Sequence, residues 1–301
     1  MAYMDLSKRV FKTDQVIKGV IPTGDDQCRF DYNILKAVIK EVVKNSLQDE
    51  NAKMDESNET GICPTFVVAT PGLNADGPPS VLRSYKCKGA NPSQCAIWEA
   101  GRATSAAPLF FKPIHINTPP PGLTFVDGGL GHNNPSEVAL QEAQRLWPTA
   151  KQFCLVSVGT GRQRSVKLSM PVAPAVTAPP EDESHGRSSI IPSWISIPGW
   201  RTAPRLPAGV YNLKRIAEVC AQLVTGSEAV HQRVLRACLS NHSNMCFRYY
   251  RFNVEHDMED VQLQEYEKIK DIAAHTRRYM DEGEGEMKRD QCVADLVRLQ
   301  A

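Results

Sequence analysis

Two short apolar runs constrain the fold of this chain more than any other feature. Residues 64–70 and 152–158 consist mainly of Phe, Val, Ala, Leu and Cys, and each is followed by proline or glycine. Runs that are apolar at consecutive positions, rather than at alternate ones, are typical of strands covered on both faces. The sequence therefore predicts an α/β fold with a mostly parallel central sheet.

Segments with helical periodicity lie before, between and after these runs. Asp31 is a predicted N-cap for a helix that ends at Leu47, because apolar residues recur at helical spacing after it. Further helices are predicted at residues 95–108, 135–147, 212–239, 261–280 and 292–299, and further strands at 81–85 and 246–254. The acidic residues 281–286 are expected to break the helix before them.

Composition excludes several classes of protein. The 301 residues are 42% hydrophobic and carry a net charge of +1, so no basic surface for nucleic acid is expected. No apolar run approaches the roughly 18 residues of a membrane span, and the charged first residues do not resemble a signal peptide. The nine cysteines include no C-x-x-C pair, which favours reduced thiols in the cytoplasm rather than disulfides or a zinc site, and the seven histidines show no metal spacing.

Asp127 is the best catalytic candidate. It follows a short apolar strand and precedes Gly128 and Gly129, which allow close approach of backbone or ligand. Ligands of α/β folds gather at the carboxyl ends of strands. The alternative is that Asp127 only closes an Asx-type turn.

Two other segments have both a functional and a structural interpretation. Ala100–Pro108 is rich in small residues, which favours a closely packed helix. Gly159, Thr160 and Gly161 follow the second apolar run and suggest a phosphate loop, but the third glycine of a dinucleotide fingerprint is missing.

The order of these motifs resembles the patatin-like phospholipase family, in the form common in fungal proteins. The resemblance rests on Ala100–Pro108, on Phe125–Gly129 followed by Asn133–Pro135, and on Leu155–Gly161. It implies a three-layer α/β sandwich, no cofactor, and acyl-ester hydrolysis by a Ser–Asp dyad. By the same resemblance Asp127 is the dyad carboxylate, with Gly128 and Gly129 allowing its approach to the serine.

The family's nucleophile motif is missing from the sequence. No G-x-S-x-G occurs in the 301 residues, and no glycine-rich oxyanion loop precedes Pro64. We therefore expect that this chain is the C-terminal portion of a hydrolase and is catalytically silent. It would lack strands of the central sheet and would self-associate through the strands left exposed. Two explanations compete with a fragment: a degenerate paralogue that binds lipid or protein, or use of Ser105 or Ser157 as the nucleophile.

The resemblance also suggests how the chain is organised. Residues 1–161 would form the incomplete patatin-like domain, 162–207 a Ser/Pro-rich insertion, and 208–301 a helical part that packs on the domain. Trp194 and Trp200 in the insertion would either enter a lipid interface or pack on the protein. The expected partner is a phospholipid or other acyl lipid, and the expected location is the cytoplasm or, peripherally, a membrane surface. The oligomeric state is left open.

Overall fold

The computed structural model describes residues 2–12, 28–55, 63–72, 78–108, 110–161, 227–239, 246–255 and 265–300, together with residues 258 and 261. The predicted insertion, with Trp194 and Trp200, lies outside the described residues. The helices are α1 (Ala2–Phe11), α2 (Tyr32–Leu47), α3 (Ile97–Thr104), α4 (Gly129–His132), α5 (Ser136–Leu146), α6 (residues 227–239), α7 (Ile269–Asp281, after a 3-10 turn at Tyr266–Lys268) and α8 (Gly283–Gln300). The strands are β1 (Phe66–Pro71), β2 (Ser80–Arg83), β3 (Ile114–Ile116), β4 (Leu123–Asp127), β5 (Gln152–Val158) and β6 (Cys246–Phe252).

The strands within the described ranges form two sheets. The larger sheet has the order β2-β1-β4-β3, and each neighbouring pair is antiparallel, with Val67 opposite Leu82, Ala69 opposite Asp127 and His115 opposite Thr124. The smaller sheet is the parallel pair β5–β6. The α/β class is thus confirmed, and helices α6, α7 and α8 confirm the helical C-terminal part.

The prediction of a mostly parallel sheet holds only for β5 and β6. An apolar run shows that a strand is covered, but it does not show the direction of the neighbouring strands. β1 lies between β2 and β4, α3 packs against it, and its residues Val68, Ala69 and Thr70 are buried. Its apolar run therefore fits the centre of an antiparallel sheet equally well.

One hydrophobic core lies between α3 and the four-stranded sheet. Ala100 and Ala103 of α3 are 2% and 0% exposed and pack with sheet residues such as Ala69 and Phe125. A second core joins α1 and α2 to an aromatic cluster, where Phe11 meets Phe30 edge-on with ring centroids 5.0 Å apart. Small side chains on α3 therefore bring this helix close to β1 and to β4, the strand that ends at Asp127.

The helix ends follow local chemistry. Asp31 is the N-cap of α2 as predicted, because its carboxylate accepts a 2.7 Å hydrogen bond from the Asn33 N–H. The acidic stretch near the C-terminus interrupts the helical structure only at Glu282, whose backbone is extended, and α8 starts at Gly283. Acidic residues suit the first turn of a helix, so the predicted break at 281–286 was too long and the closing helix too short. Within the described residues, no helix has the length and apolar character of a bilayer span.

Candidate active site

Asp127 is fixed by backbone contacts on two sides. It is the last residue of β4 and pairs with Ala69 of β1. Its N–H donates to the carbonyl oxygen of Ala106, just beyond the end of α3, at 3.0 Å. The two residues before it, Phe125 and Val126, are each 4% exposed. The position of Asp127 is therefore set by the sheet and by the chain that leaves α3.

The carboxylate of Asp127 is partly buried, and its pKa is raised. Burial raises the pKa of Asp127 to about 6, although a hydrogen bond from the Gly129 N–H favours the ionised form and opposes that rise. This bond is 2.7 Å long and reaches Oδ1. Among the described residues Asp127 has no ion-pair partner, so it is more basic than an ordinary aspartate and still ionises near neutral pH.

The two glycines after Asp127 have different roles. A Cβ on Gly128 would lie 2.2 Å from the Val68 carbonyl oxygen, so only glycine lets the chain pass this close to β1. Gly129 supplies the N–H that binds Asp127 Oδ1. This contact is an Asx turn, one of the two interpretations of the sequence, and Oδ2 takes no part in it.

The small-residue segment Ala100–Pro108 lies directly beside Asp127. Ala106 accepts the Asp127 N–H, and the Thr104 hydroxyl donates to the Val68 carbonyl at 2.7 Å. Ala106 itself is 0% exposed. The close packing expected from the sequence is therefore present, and it supports the strand end that carries the candidate base.

Neither alternative serine is placed as a nucleophile. Ser157 is buried, and its hydroxyl is within 2.9 Å of Ser136 Oγ and 2.7 Å of the Arg251 guanidinium. Ser105 lies at the C-terminal end of α3, where its N–H bonds to the Ala103 carbonyl. In the part of the chain that the structure describes, neither hydroxyl bonds to Asp127.

The space beside the loop Gly159–Gly161 is filled by the side chain of Asn253. The Gly161 N–H donates to Asn253 Oδ1 at 3.0 Å, and a Cβ on Gly159 would lie 2.1 Å from the same oxygen. Gly161 has φ +102°, which favours glycine. The two glycines thus accommodate the Asn253 side chain, which accounts for them without a phosphate. Across the described ranges, no three His, Cys, Asp or Glu side chains group as a metal site.

A buried polar cluster near Asp127 was not predicted. It joins Asn134 and Ser136, seven and nine residues after Asp127, to Ser157 of β5, Arg251 of β6 and Ser227 of α6. Asn134 had a sequence signal, since it belongs to the motif order described above. Arg251 and Ser227 had none, because only the fold brings them near this loop.

Comparisons with known proteins show which sequences this chain is similar to. The family model for patatin-like phospholipase matches residues 33–140. Calcium-independent phospholipase A2-gamma from Mus musculus is 32% identical over 171 residues, which are 54% of this chain and 21% of that protein. The Homo sapiens protein of the same name is also 32% identical over 171 residues, 20% of its length. Phospholipase A I from Arabidopsis thaliana is 42% identical over 65 residues, 22% of this chain and 5% of that protein.

The chain spans about a fifth of the length of the phospholipase A2-gamma proteins it matches. The family match nevertheless contains α3, the four-stranded sheet and the end of β4. The chain therefore carries a patatin-like phospholipase match across residues 33–140, which include Asp127, Gly128 and Gly129.

Proposed function

We propose that Asp127 is the general base of a Ser–Asp dyad that hydrolyses acyl esters of phospholipids or related lipids. The observation that carries the proposal is a partly buried carboxylate at the end of a strand, inside the patatin-like match, with a pKa raised to about 6. The names of the relatives, all of them phospholipases, support a lipid hydrolase. The fungal form of the family remains a prediction.

The proposed chemistry uses the carboxylate twice. Asp127 accepts the proton of the serine hydroxyl as its oxygen attacks the ester carbonyl, and returns it to the departing lysolipid alcohol. A water molecule then loses a proton to Asp127 and attacks the acyl-enzyme, which releases the fatty acid and restores the serine. With a pKa of about 6, the carboxylate is mostly ionised at neutral pH yet more basic than a free aspartate.

We further propose that this chain is silent by itself, because it contains no G-x-S-x-G. The serine would come from a segment outside the given sequence. Reading the transcript upstream of Met1 tests this directly. An in-frame G-x-S-x-G supports the hydrolase, and a stop codon in its place favours a protein that binds lipid or protein without hydrolysing it.

The activity test compares the purified chain with Asp127→Ala and with Asp271→Ala, which removes an exposed carboxylate of α7. We expect no turnover of fatty-acyl esters by any of the three. Turnover that disappears only in Asp127→Ala would overturn the silence, and turnover that survives in Asp127→Ala would come from a contaminant.

A longer chain that includes the in-frame serine tests the dyad itself. Asp127→Ala is expected to lower kcat/KM by about 10²–10⁴, the usual contribution of a general base. Undiminished turnover in that variant would refute the role of Asp127. Cytoplasmic location and peripheral membrane contact remain proposals, and co-sedimentation of the chain with phosphatidylcholine vesicles tests the lipid contact.

A further inference from the structure

The segment of residues 128–136 that follows Asp127 contains the short helix α4 and is called the Asp127 loop here. It is held at three places. At its start, Gly128 lies against the backbone of Val68. In its middle, the hydroxyl of Thr70, a residue 1% exposed, donates to the Leu130 carbonyl at 3.2 Å. At its end, Asn134 is 2% exposed and enters the buried polar cluster. The first two contacts come from β1, and only the third reaches beyond the family match.

The third contact is part of a closed ring of hydrogen bonds. The Arg251 guanidinium donates to Ser157 Oγ at 2.7 Å and to Ser227 Oγ at 2.9 Å. Ser157 and Ser136 share a 2.9 Å hydroxyl–hydroxyl bond. Ser136 in turn bonds to Asn134 Oδ1, and Asn134 Nδ2 donates to the Ser227 carbonyl at 3.1 Å. We call these five residues the Arg251 ring.

The direction of each bond in the ring is determined. Asn134 Oδ1 can only accept, and it also accepts the Ser136 N–H at 3.2 Å, so the Ser136 hydroxyl must donate to it. A hydroxyl has one proton, so Ser157 must donate to Ser136, and Ser157 accepts from Arg251. The bonds therefore run from Arg251 through Ser157 and Ser136 to Asn134, a chain in which each bond polarises the next.

The ring joins elements that are distant in sequence. It ties the end of the Asp127 loop to α6 through Ser227, and to the β5–β6 sheet through Ser157 and Arg251. Ser136 and Ser157 are 4% and 9% exposed, so loss of one partner leaves a buried polar group unsatisfied. Such an arrangement resists small displacements of the loop.

We propose that Asn134 and Arg251 are positioning residues for Asp127. Through the ring they fix the loop at residues 128–136, which keeps the Gly129 N–H on Asp127 Oδ1 and keeps water away from the carboxylate. This inference rests on the proposed function, since positioning matters if Asp127 is the base. Asn134 and Arg251 act through the loop and touch neither the carboxylate nor the reacting atoms.

The test measures the carboxyl pKa of Asp127 by ¹³C NMR titration of the full chain, so it needs no turnover. If Asn134→Ala opens the loop to water, the loss of burial lowers the pKa of Asp127 and the loss of the Gly129 bond raises it; because burial has the larger effect, the pKa is expected to fall from about 6 toward the ordinary value. Exchange of the Gly129 amide hydrogen is expected to become at least about 10-fold faster. A merely structural role would lower the melting temperature and leave both readouts unchanged.

The matched control is Arg233→Ala. Arg233 of α6 forms an ion pair with Glu137, in the first turn of α5, at 3.0 Å, so it also ties α6 to the chain that follows Asp127, but three residues beyond Asn134 and at the exposed surface. This variant should leave the Asp127 titration and Gly129 exchange unchanged. If it moves them as far as Asn134→Ala does, the helix contact rather than the ring positions the loop, and the proposal is overturned.

Ser157→Ala and Ser157→Thr provide a second pair that removes less from the core. The alanine breaks the bond chain between Arg251 and Ser136, and the threonine keeps a hydroxyl there. We expect a lowered Asp127 pKa in the first and recovery in the second. Wild-type titration in both Asn134→Ala and Ser157→Ala would refute the inference, while failure of Asp127→Ala to impair the longer enzyme would refute only the proposed function.

Discussion

The Gly129 N–H donates a 2.7 Å hydrogen bond to Oδ1 of Asp127, two residues earlier in the chain. This bond favours the ionised carboxylate, but burial favours the protonated form and has the larger effect. Asp127 is therefore both the residue that closes an Asx turn and a carboxyl group with raised proton affinity. The Asx turn therefore holds one oxygen of the same carboxyl group whose basicity is raised by burial.

Asp127→Asn is expected to stabilise the protein at neutral pH. The pKa of Asp127 is raised to about 6, so the unfolded chain ionises first as pH rises. The contribution of the protonated group to stability is complete below about pH 4, the unfolded value, and is lost as pH rises through 6. Asparagine keeps an oxygen for the Gly129 N–H without the charge, so the free energy of unfolding at pH 7.5 should increase by about 1–2 kcal/mol.

Urea denaturation at pH 4, 5, 6 and 7.5 measures this effect. The difference between Asp127→Asn and wild type should grow between pH 4 and 6 and then level off. Asp271→Asn, at an exposed carboxylate of α7, is the matched control and should follow the wild-type curve. A constant difference between Asp127→Asn and wild type at all four pH values would contradict the raised pKa.

Gly128→Ala should destabilise the protein more than Gly131→Ala. Gly128 has φ −63°, which any residue adopts, but its Cβ would lie 2.2 Å from the Val68 carbonyl oxygen. Gly131 has φ +92° with none of the described residues within 4 Å of a Cβ. Steric overlap with rigid backbone should cost about 3 kcal/mol, and the left-handed backbone about 1 kcal/mol. Thermal melts of both variants decide the order, and equal losses would show that β1 yields at Val68.

The strand before Asp127 and helix α5 after it could be predicted because their signals are local. Apolar residues precede Asp127 at strand positions, glycines permit the turn, and Pro135 marks the start of α5. The family resemblance then singled out the same carboxylate. The pairing of β1 with β4 was not predictable in this way, because nothing in either strand encodes the direction of its partner.

The polar groups that stabilise the site could not be predicted for a related reason. Ser157 lies in an apolar run, where the sequence suggested it only as an alternative nucleophile, and Arg251 is one of two arginines in β6, so the sequence does not indicate that they bond to each other. Their roles depend on contacts 21 and 94 residues apart along the chain, between Ser136 and Ser157 and between Ser157 and Arg251. A pattern of neighbouring residues carries no information about such pairs.

We expect the chain to self-associate through β5. The sequence suggested this for both apolar runs, but β1 has neighbours on both edges, so the expectation now concerns β5. Val156 and Val158 are 40% and 78% exposed on one face of that strand, and in the described residues β5 pairs only with β6. Light scattering should show a mass that increases with concentration, and Val158→Lys should reduce it. A monomer at every concentration would count against this expectation.

Glu142→Gln, which replaces one carboxylate oxygen by an NH2 group, should be among the substitutions in α5 that most lower the free energy of unfolding. Glu142 is 2% exposed and accepts bonds from Arg83 Nε at 2.8 Å, Arg83 Nη2 at 3.0 Å and the Tyr85 hydroxyl at 2.9 Å. Burial alone would raise the pKa of Glu142, but these bonds and the Arg83 charge outweigh it and lower the pKa. The stability from this group is therefore complete at neutral pH and is lost as pH falls through that lowered pKa.

The amide removes the charge and turns an N–H donor toward Arg83, so at pH 7 we expect a loss of about 3 kcal/mol in the free energy of unfolding. Glu137→Gln in the same helix, whose side chain is 43% exposed in its pair with Arg233, should cost under about 1 kcal/mol. The gap between the two variants should narrow in acid, where wild-type Glu142 is protonated as well. Equal, small losses at pH 7 would mean that Arg83 and Tyr85 find water or other acceptors when the carboxylate is gone, and that β2 and α5 are held together mainly by apolar packing.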